Sequence, residues 1–153
     1  DLENPVIVAP DVGGIKVARA YAKRFDAGLA IVDKRRVSPR EAKAMHLIGE
    51  VENRDVLLMD DMISTAGTMC EAVALVKTYG CRRVFLAATH GVFAGPATER
   101  LRAAEVEEIC VTDSIPLPEG AEGLVNVLNA GPLLGEAILR IHSSESVSSL
   151  FVD

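Results

Sequence analysis

Apolar runs alternate with amphipathic stretches along the whole chain, and this alternation predicts the structural elements. Runs of strand length occupy residues 6–9, 29–32, 56–60, 84–89, 109–111 and 125–128, and residues 46–51 are also predicted to be extended. Helical spacing of apolar residues predicts helices at 15–25, 68–79, 99–104 and 132–142. The polar segment 33–43 is predicted to be a mobile loop. Strands that alternate with helices indicate one α/β domain over residues 1–153, with a doubly wound, mostly parallel sheet.

Composition narrows the class of protein and its setting. Hydrophobic residues make up 49% of the chain and aromatic residues only 4%, which is typical of an aliphatic sheet covered by helices on both faces. The net charge of −6 argues against a nucleic-acid-binding module. Cys70, Cys81 and Cys110 lack metal-ligand spacing, so we expect reduced core thiols and a cytoplasmic protein. No apolar run reaches the roughly 18 residues of a membrane-spanning helix.

The most informative segment covers residues 56–68. A predicted strand leads into two adjacent carboxylates and then into a turn of small residues before a helix. The N–H groups of such a turn, with the helix dipole behind them, can bind a phosphate group. Ionised carboxylates only accept hydrogen bonds, so the acid pair suits hydroxyl groups instead. The segment therefore predicts a sugar-phosphate site made of Asp60, Asp61, Ser64, Thr65, Ala66, Gly67 and Thr68. In the alternative, the two acids only cap the helix.

A second loop follows the first predicted strand. It places Asp11, Gly13 and Gly14 at the start of a predicted helix. A glycine loop at a helix N-terminus can approach a phosphate closely, and a carboxylate there can meet a metal ion. Taken alone, the loop is equally well explained as a tight turn capped by Asp11.

Three cations, Lys34, Arg35 and Arg36, stand side by side after the second predicted strand. Like charges repel, so a role in stability alone is unattractive for them. A mobile loop that carries them could close over a polyphosphate and stabilise charge in the transition state. The alternative is a solvated basic turn.

These motifs resemble those of a known enzyme family. The acid pair and its turn resemble the phosphoribosyl-pyrophosphate motif shared by type I phosphoribosyltransferases and ribose-phosphate pyrophosphokinases. Residues 9–14 are similar to the PDxGG loop of the pyrophosphokinases. Residues 89–97, 111–116 and 145–151 resemble their THGxFSGPA, VT[ND][ST]IP and ESVSxLF segments. The resemblance runs along the whole chain but covers only the C-terminal half of that family. The start at Asp1, without Met, is what a piece of a longer protein would show.

The resemblance implies a fold, an activity and roles for residues. The fold would be that of the type I phosphoribosyltransferases, and the reaction would transfer the diphosphoryl group of ATP to ribose 5-phosphate. Asp11, Gly13 and Gly14 would form the pyrophosphate loop, with Mg²⁺ as cofactor at Asp11. Lys34 and Arg36 would be the catalytic cations. The full enzyme would be a cytoplasmic homo-oligomer, and the isolated half is expected to be inactive.

The C-terminal tail takes a separate role in this resemblance. From about residue 144 it would pack on the absent N-terminal domain or on a neighbouring subunit. Ser146 and Ser148 would take part in a regulatory phosphate or nucleotide site.

Two positions depart from the family pattern. Ser64 stands where many members have Asp, and Val17 stands where they usually have Arg.

Two other functions stay open. One alternative is a non-catalytic regulatory homologue, although such a protein would have no need to keep Lys34, Arg36 and the acid pair. The other is a type I phosphoribosyltransferase, for whose base-binding hood the chain has no room.

Overall fold

A computed structural model describes residues 2–35 and 44–151, which form a seven-stranded sheet with helices. The strands are β1 (Val6–Ala9), β2 (Gly28–Arg35), β3 (Ala44–Ile48), β4 (Asp55–Ile63), β5 (Arg83–Gly91), β6 (Glu108–Thr112) and β7 (Asn126–Leu128). Their order is β3-β2-β1-β4-β5-β6-β7, and only β3 is antiparallel to its neighbour. The predicted α/β class and the mostly parallel sheet are thereby confirmed.

In the described part of the chain, four α-helices and two short 3-10 helices connect or follow the strands. The α-helices are α1 (Ile15–Arg24), α2 (Gly67–Thr78), α3 (Ala97–Ala103) and α4 (Gly131–His142), and the 3-10 helices are Val12–Gly14 and Ser148–Leu150. Gly80 ends the α2 region with a φ of +74°, a left-handed conformation that glycine adopts without penalty. None of the helices in residues 2–35 and 44–151 is long and apolar enough to cross a membrane.

The sheet is covered on both faces, as its aliphatic composition predicts. Side chains alternate in direction along a strand. In β1, Val6 and Val8 therefore join a core shared with α2 and α3, while Ile7 and Ala9 join a smaller core shared with α1. All four β1 residues are fully buried. The three cysteines are free and half-buried. Cys70 and Cys81 pack against the larger core, as predicted for core thiols, whereas the Cys110 thiol donates to Glu108 Oε1 at 3.5 Å.

Two predicted boundaries were wrong. The predicted loop at 33–43 begins too early, because Asp33, Lys34 and Arg35 belong to β2 and pair with β3. The cross-strand hydrogen bonds of the antiparallel pair outweigh the polarity of this segment. The strand predicted at 56–60 continues to Ile63, so Asp61 also lies on β4 and not after it. Residues 36–43, including Arg36, lie outside the described residues.

Candidate functional site

The two predicted ligand loops meet at one point of the sheet. The chain proceeds from β1 to β2 on one side and from β4 to β5 on the other, and β1 and β4 are neighbours. In a doubly wound sheet, such a reversal opens a crevice at the carboxyl ends of the two strands, where ligands bind. The loop with Asp11 leaves β1 at this edge, and the segment after Ile63 leaves β4 at the same edge.

The Asp11 loop is a compact turn. Asp11 Oδ1 accepts hydrogen bonds from the N–H groups of Gly13 at 2.8 Å and Gly14 at 3.2 Å. The side chain thus caps the short 3-10 helix, as the structural alternative for this loop expects. The same carboxylate lines both cavities described below, so its cap does not remove it from the crevice.

The acid pair does not cap α2. The residue before α2 is Ala66, and no side chain accepts a capping hydrogen bond there. Asp60 Oδ1 accepts from the N–H of Asp61 at 2.9 Å. Burial raises the pKa of Asp60 above its ordinary value, and the negative charges of Asp61 and Asp11 raise it further. Asp61 and Asp11 therefore lie close enough to Asp60 to raise its pKa.

The turn before α2 has the features of a phosphate-binding turn. Residues 64–68, called the phosphate turn below, pass from the end of β4 into the first residues of α2. Ala66 has φ +59° and ψ +5°, a left-handed conformation that is unfavourable for a residue with a Cβ. Non-glycine residues in this region persist where surrounding structure holds them, often at ligand sites.

Two adjoining cavities occupy the crevice. The first, of about 130 Å³, is lined by the phosphate turn together with Asp11, Asp60, Met62, Ile63 and Met69. The second, of about 330 Å³, is lined by Asp11, Gly13, Gly14, Val17, Met59, Asp60 and Asp61. The structure thus brings all the residues of the predicted sugar-phosphate site and of the glycine loop to one place. Val17 and Ser64, the two departures from the family pattern, each line one of the cavities.

The chemistry of these residues fits a magnesium ion in one specific mode. In residues 2–35 and 44–151, no three His, Cys, Asp or Glu side chains are arranged to hold a metal ion by themselves. Mg²⁺ at phosphate-transfer sites is usually held by one or two carboxylates together with substrate phosphates. Asp11 and Asp60, which line both cavities, fit that mode.

Comparison with known proteins places this chain in a family. A family model for the phosphoribosyl synthetase-associated domain matches residues 35–152, well over half of the chain. The chain belongs to that family. This match, together with pyrophosphokinase relatives and a similar solved structure, confirms the resemblance to ribose-phosphate pyrophosphokinases.

Proteins with similar sequences carry the name ribose-phosphate pyrophosphokinase. A ribose-phosphate pyrophosphokinase from Haemophilus influenzae is 49% identical over 99% of this chain and 49% of the relative. One from Aquifex aeolicus is 44% identical over 98% of this chain and 48% of the relative. The chain thus spans about half the length of the curated relatives it matches.

Solved structures agree with the fold. The phosphoribosylpyrophosphate synthetase of Mycobacterium smegmatis superposes with a TM-score of 0.85 at 34% identity, covering 93% of this chain and 46% of that one. An adenine phosphoribosyl transferase from Trypanosoma brucei gives a TM-score of 0.54 at 18% identity, covering 76% of this chain and 58% of that one. The second likeness extends the shared fold to phosphoribosyltransferases.

The family resemblance implies that Lys34 and Arg36 are catalytic, and the structure describes Lys34. It lies in β2, and its Nζ is 3.3 Å from Glu71 Oε2 on α2. The Lys34 side chain is only 23% exposed, which contradicts the alternative of a solvated basic turn at this residue. Arg36 lies outside the described residues.

Three other segments resemble the family. Those at 89–97 and 111–116 begin at the carboxyl ends of β5 and β6, and the one at 145–151 forms the C-terminal tail. His90, near the end of β5, is half-buried, and its Nδ1 lies 2.8 Å from Ser114 Oγ beyond β6. The histidine is therefore satisfied, as expected when it is considered alone. In the tail, Ser148 N–H donates to Ser146 Oγ at 3.2 Å, and Arg140 of α4 donates to the Ser146 carbonyl at 3.2 Å. The tail is tied to α4, and its regulatory role stays a prediction.

Sequence reasoning missed one side chain that touches the phosphate turn. Arg100 of α3 donates from Nη1 to the carbonyl oxygen of Thr65 at 3.0 Å. Its sequence position carries no special signal, because an exposed Arg in a short helix is ordinary. A hint was available in the segment at 89–97, which resembles the family and leads directly into α3.

Proposed function

We propose that this chain supplies the ribose 5-phosphate site of a ribose-phosphate diphosphokinase. The observation that carries the proposal is the meeting of the acid pair, the phosphate turn and the Asp11 loop in one crevice. A sugar phosphate satisfies both halves of that crevice. Its phosphate would accept from the N–H and hydroxyl groups of the phosphate turn, and its hydroxyls would donate to the carboxylates. The names and identities of the relatives support this assignment.

The reaction would be a diphosphoryl transfer between ATP and the bound sugar. The C1 hydroxyl oxygen of ribose 5-phosphate forms a bond to the β-phosphorus of ATP, the bond from that phosphorus to the bridging oxygen of the α-phosphate breaks, and AMP leaves. The proton of the C1 hydroxyl is released to solvent water. Positioning and charge stabilisation are the main protein contributions to such reactions.

Each part of the chain would have a distinct role in this reaction. Asp60 and Asp61 would fix the ribose ring through its hydroxyls, and the phosphate turn would hold the 5-phosphate. Asp11 and Asp60 would hold Mg²⁺, which supplies positive charge near the phosphate oxygens when it is bound. Lys34 and Arg36 would stabilise negative charge on the transferred group. The ATP site, subunit assembly and a cytoplasmic setting belong to the same proposal for the whole protein.

The proposal is tested by calorimetric titration of ribose 5-phosphate into the chain in the presence of magnesium. Saturable binding to one site is expected, and the double variant Asp60→Ala, Asp61→Ala should lose it. The matched control is Glu50→Ala, Glu52→Ala, which removes the same charge from exposed residues between β3 and β4, at the opposite edge of the sheet. No binding by the wild type, or equal loss in both double variants, would contradict the proposed site.

A further inference from the structure

The outer side of the phosphate turn is held by the segment that follows β5. The carbonyl of Ile63 accepts from the N–H groups of Val92 and Phe93, both at 3.1 Å. The Ser64 carbonyl accepts from the N–H of Ala94 at 3.0 Å. The next carbonyl, that of Thr65, accepts from the Arg100 side chain at 3.0 Å. Three consecutive carbonyls at the turn are therefore fixed from the α3 side, and the third depends on a side chain.

These contacts determine where the amide groups of the turn point. A trans peptide unit is planar and directs its C=O and the following N–H to opposite sides. Because the Thr65 carbonyl points to Arg100, the N–H of Ala66 points away from α3. Ala66 lines the first cavity, and Arg100 does not. Arg100 thus fixes an amide of the turn without lining the cavity itself.

The orientation that Arg100 holds is a strained one. The left-handed conformation of Ala66 is disfavoured for a residue with a Cβ by a factor of about 5 to 30. Rotation of the Thr65–Ala66 peptide unit changes the φ of Ala66 and would release that strain. It would also turn the Thr65 carbonyl away from Arg100 and the Ala66 N–H away from its present direction. The hydrogen bond from Arg100 opposes this rotation.

We propose that Arg100 is a positioning residue, which holds the Thr65–Ala66 peptide unit in the orientation that presents the Ala66 N–H to the phosphate of the ligand. The inference rests on the proposed function, because the phosphate turn is the part proposed to bind the 5-phosphate. Without Arg100, the turn relaxes to a conformation with a misdirected amide. The apparent affinity then falls in proportion to the fraction of chains that keep the competent turn.

A second arginine on α3 separates this role from a structural one. Arg102 donates from Nη2 to the carbonyl of Gly120 at 2.7 Å, so it also ties α3 to a neighbouring segment. Its contact does not involve the phosphate turn. Arg100→Met and Arg102→Met therefore remove the same kind of bond from the same helix, and only the first should affect ligand binding.

A second substitution at Ala66 distinguishes a positioning role of Arg100 from a purely structural one. Glycine adopts the left-handed conformation without penalty. We expect Arg100→Met to weaken binding of ribose 5-phosphate by about 3- to 10-fold, because the competent turn falls to a minor fraction. Arg102→Met should stay within about twofold, a shift near the error of such comparisons. Adding Ala66→Gly to Arg100→Met should restore at least half of the lost affinity on a logarithmic scale.

Two measurements decide the proposal. Calorimetric titration with ribose 5-phosphate overturns it if Arg100→Met binds like the wild type, if Arg102→Met loses as much, or if Ala66→Gly gives no rescue. Crystal structures of both ligand-free variants test it independently of the ligand: the φ of Ala66 should turn negative in Arg100→Met and stay positive in Arg102→Met. A positive φ in both would overturn the role of Arg100. Failure of the wild type to bind would contradict the proposed function instead.

Discussion

Replacement of Asp55 by Asn is expected to destabilise the fold by about 3 kcal/mol. Asp55 begins β4 and is fully buried. Its Oδ1 accepts from Nε of Arg82 at 2.9 Å and of Arg83 at 3.1 Å. Its Oδ2 accepts from Nη2 of the same arginines at 2.7 and 2.6 Å, and from the N–H of Glu3 at 2.7 Å.

The magnitude follows from how far the partners can recover. Removing one partner of a buried charge pair typically costs about 3–5 kcal/mol. The side chains of Arg82 and Arg83 remain 35% and 33% exposed, so water can replace part of what they lose. The cost should therefore lie at the lower end. The proposed ligand site lies at the other end of β4, so binding of ribose 5-phosphate by the folded variant should not change.

The same contacts make the stability of the wild type depend on pH. The guanidinium groups of Arg83 and Arg82 hold the pKa of Asp55 well below its ordinary value. A lowered folded-state pKa contributes stability above the unfolded-state pKa of about 4, and that stability is lost as the pH falls further. Asn does not titrate. The difference between wild type and variant should therefore be full at neutral pH and shrink below about pH 4.

Urea unfolding followed by circular dichroism at pH 7 and pH 2.5 measures both effects. Asp26→Asn is the matched control, because Asp26 is exposed and its left-handed φ of +49° suits Asn equally well. The control should stay within about 0.5 kcal/mol of the wild type. The reasoning is refuted if Asp55→Asn costs less than about 1 kcal/mol at pH 7, or if its deficit is the same at both pH values.

Two further outcomes concern the site, and a third concerns the packing at the end of β5. Because the charge of Asp11 contributes to the raised pKa of Asp60, Asp11→Asn should lower the pKa of Asp60. An NMR titration that follows the carboxyl carbon of Asp60 measures this change. An unchanged pKa would show that the two groups do not interact. Ser64→Asp should leave the affinity for ribose 5-phosphate within about threefold, or roughly 0.7 kcal/mol, and a tenfold loss in calorimetry would show that Ser64 is specifically required. Gly91→Ala would place a methyl group 2.6 Å from Cε2 of the buried Phe93. Urea unfolding should therefore show a loss of about 1–3 kcal/mol in the free energy of unfolding. An unchanged midpoint would contradict the packing.

The sequence was sufficient to locate most of the site because its signals are local. The order of an apolar strand, an acid pair and a small-residue turn predicts a ligand site after β4 whatever the rest of the fold does. The doubly wound pattern predicts that the loop with Asp11 reaches the same edge. The complete burial of β1 also follows from the sequence, because a fully apolar strand needs cover on both faces.

What the sequence could not predict depends on contacts between distant segments. Lys34 was expected in a loop, but pairing with β3 makes it part of a strand. The left-handed Ala66 has no local signal, because alanine does not favour that conformation and only its surroundings impose it. Arg100 lies 35 positions from Thr65, so their hydrogen bond is invisible until the fold brings α3 beside the turn. Each miss is a case of tertiary structure overriding a local preference.

β4 carries one buried and one half-buried aspartate, and their environments shift the two pKa values in opposite directions. At its amino end, Asp55 is surrounded by donors, and its pKa is lowered. Near its carboxyl end, burial and the neighbouring acids raise the pKa of Asp60. A carboxylate whose charged form is already stabilised gains little from a ligand, whereas one whose charged form is destabilised gains from each hydroxyl donor or cation that approaches it. The protein's own contacts thus favour the charged form of Asp55, whereas the charged form of Asp60 would gain from a hydroxyl donor or a cation, as the proposed function requires.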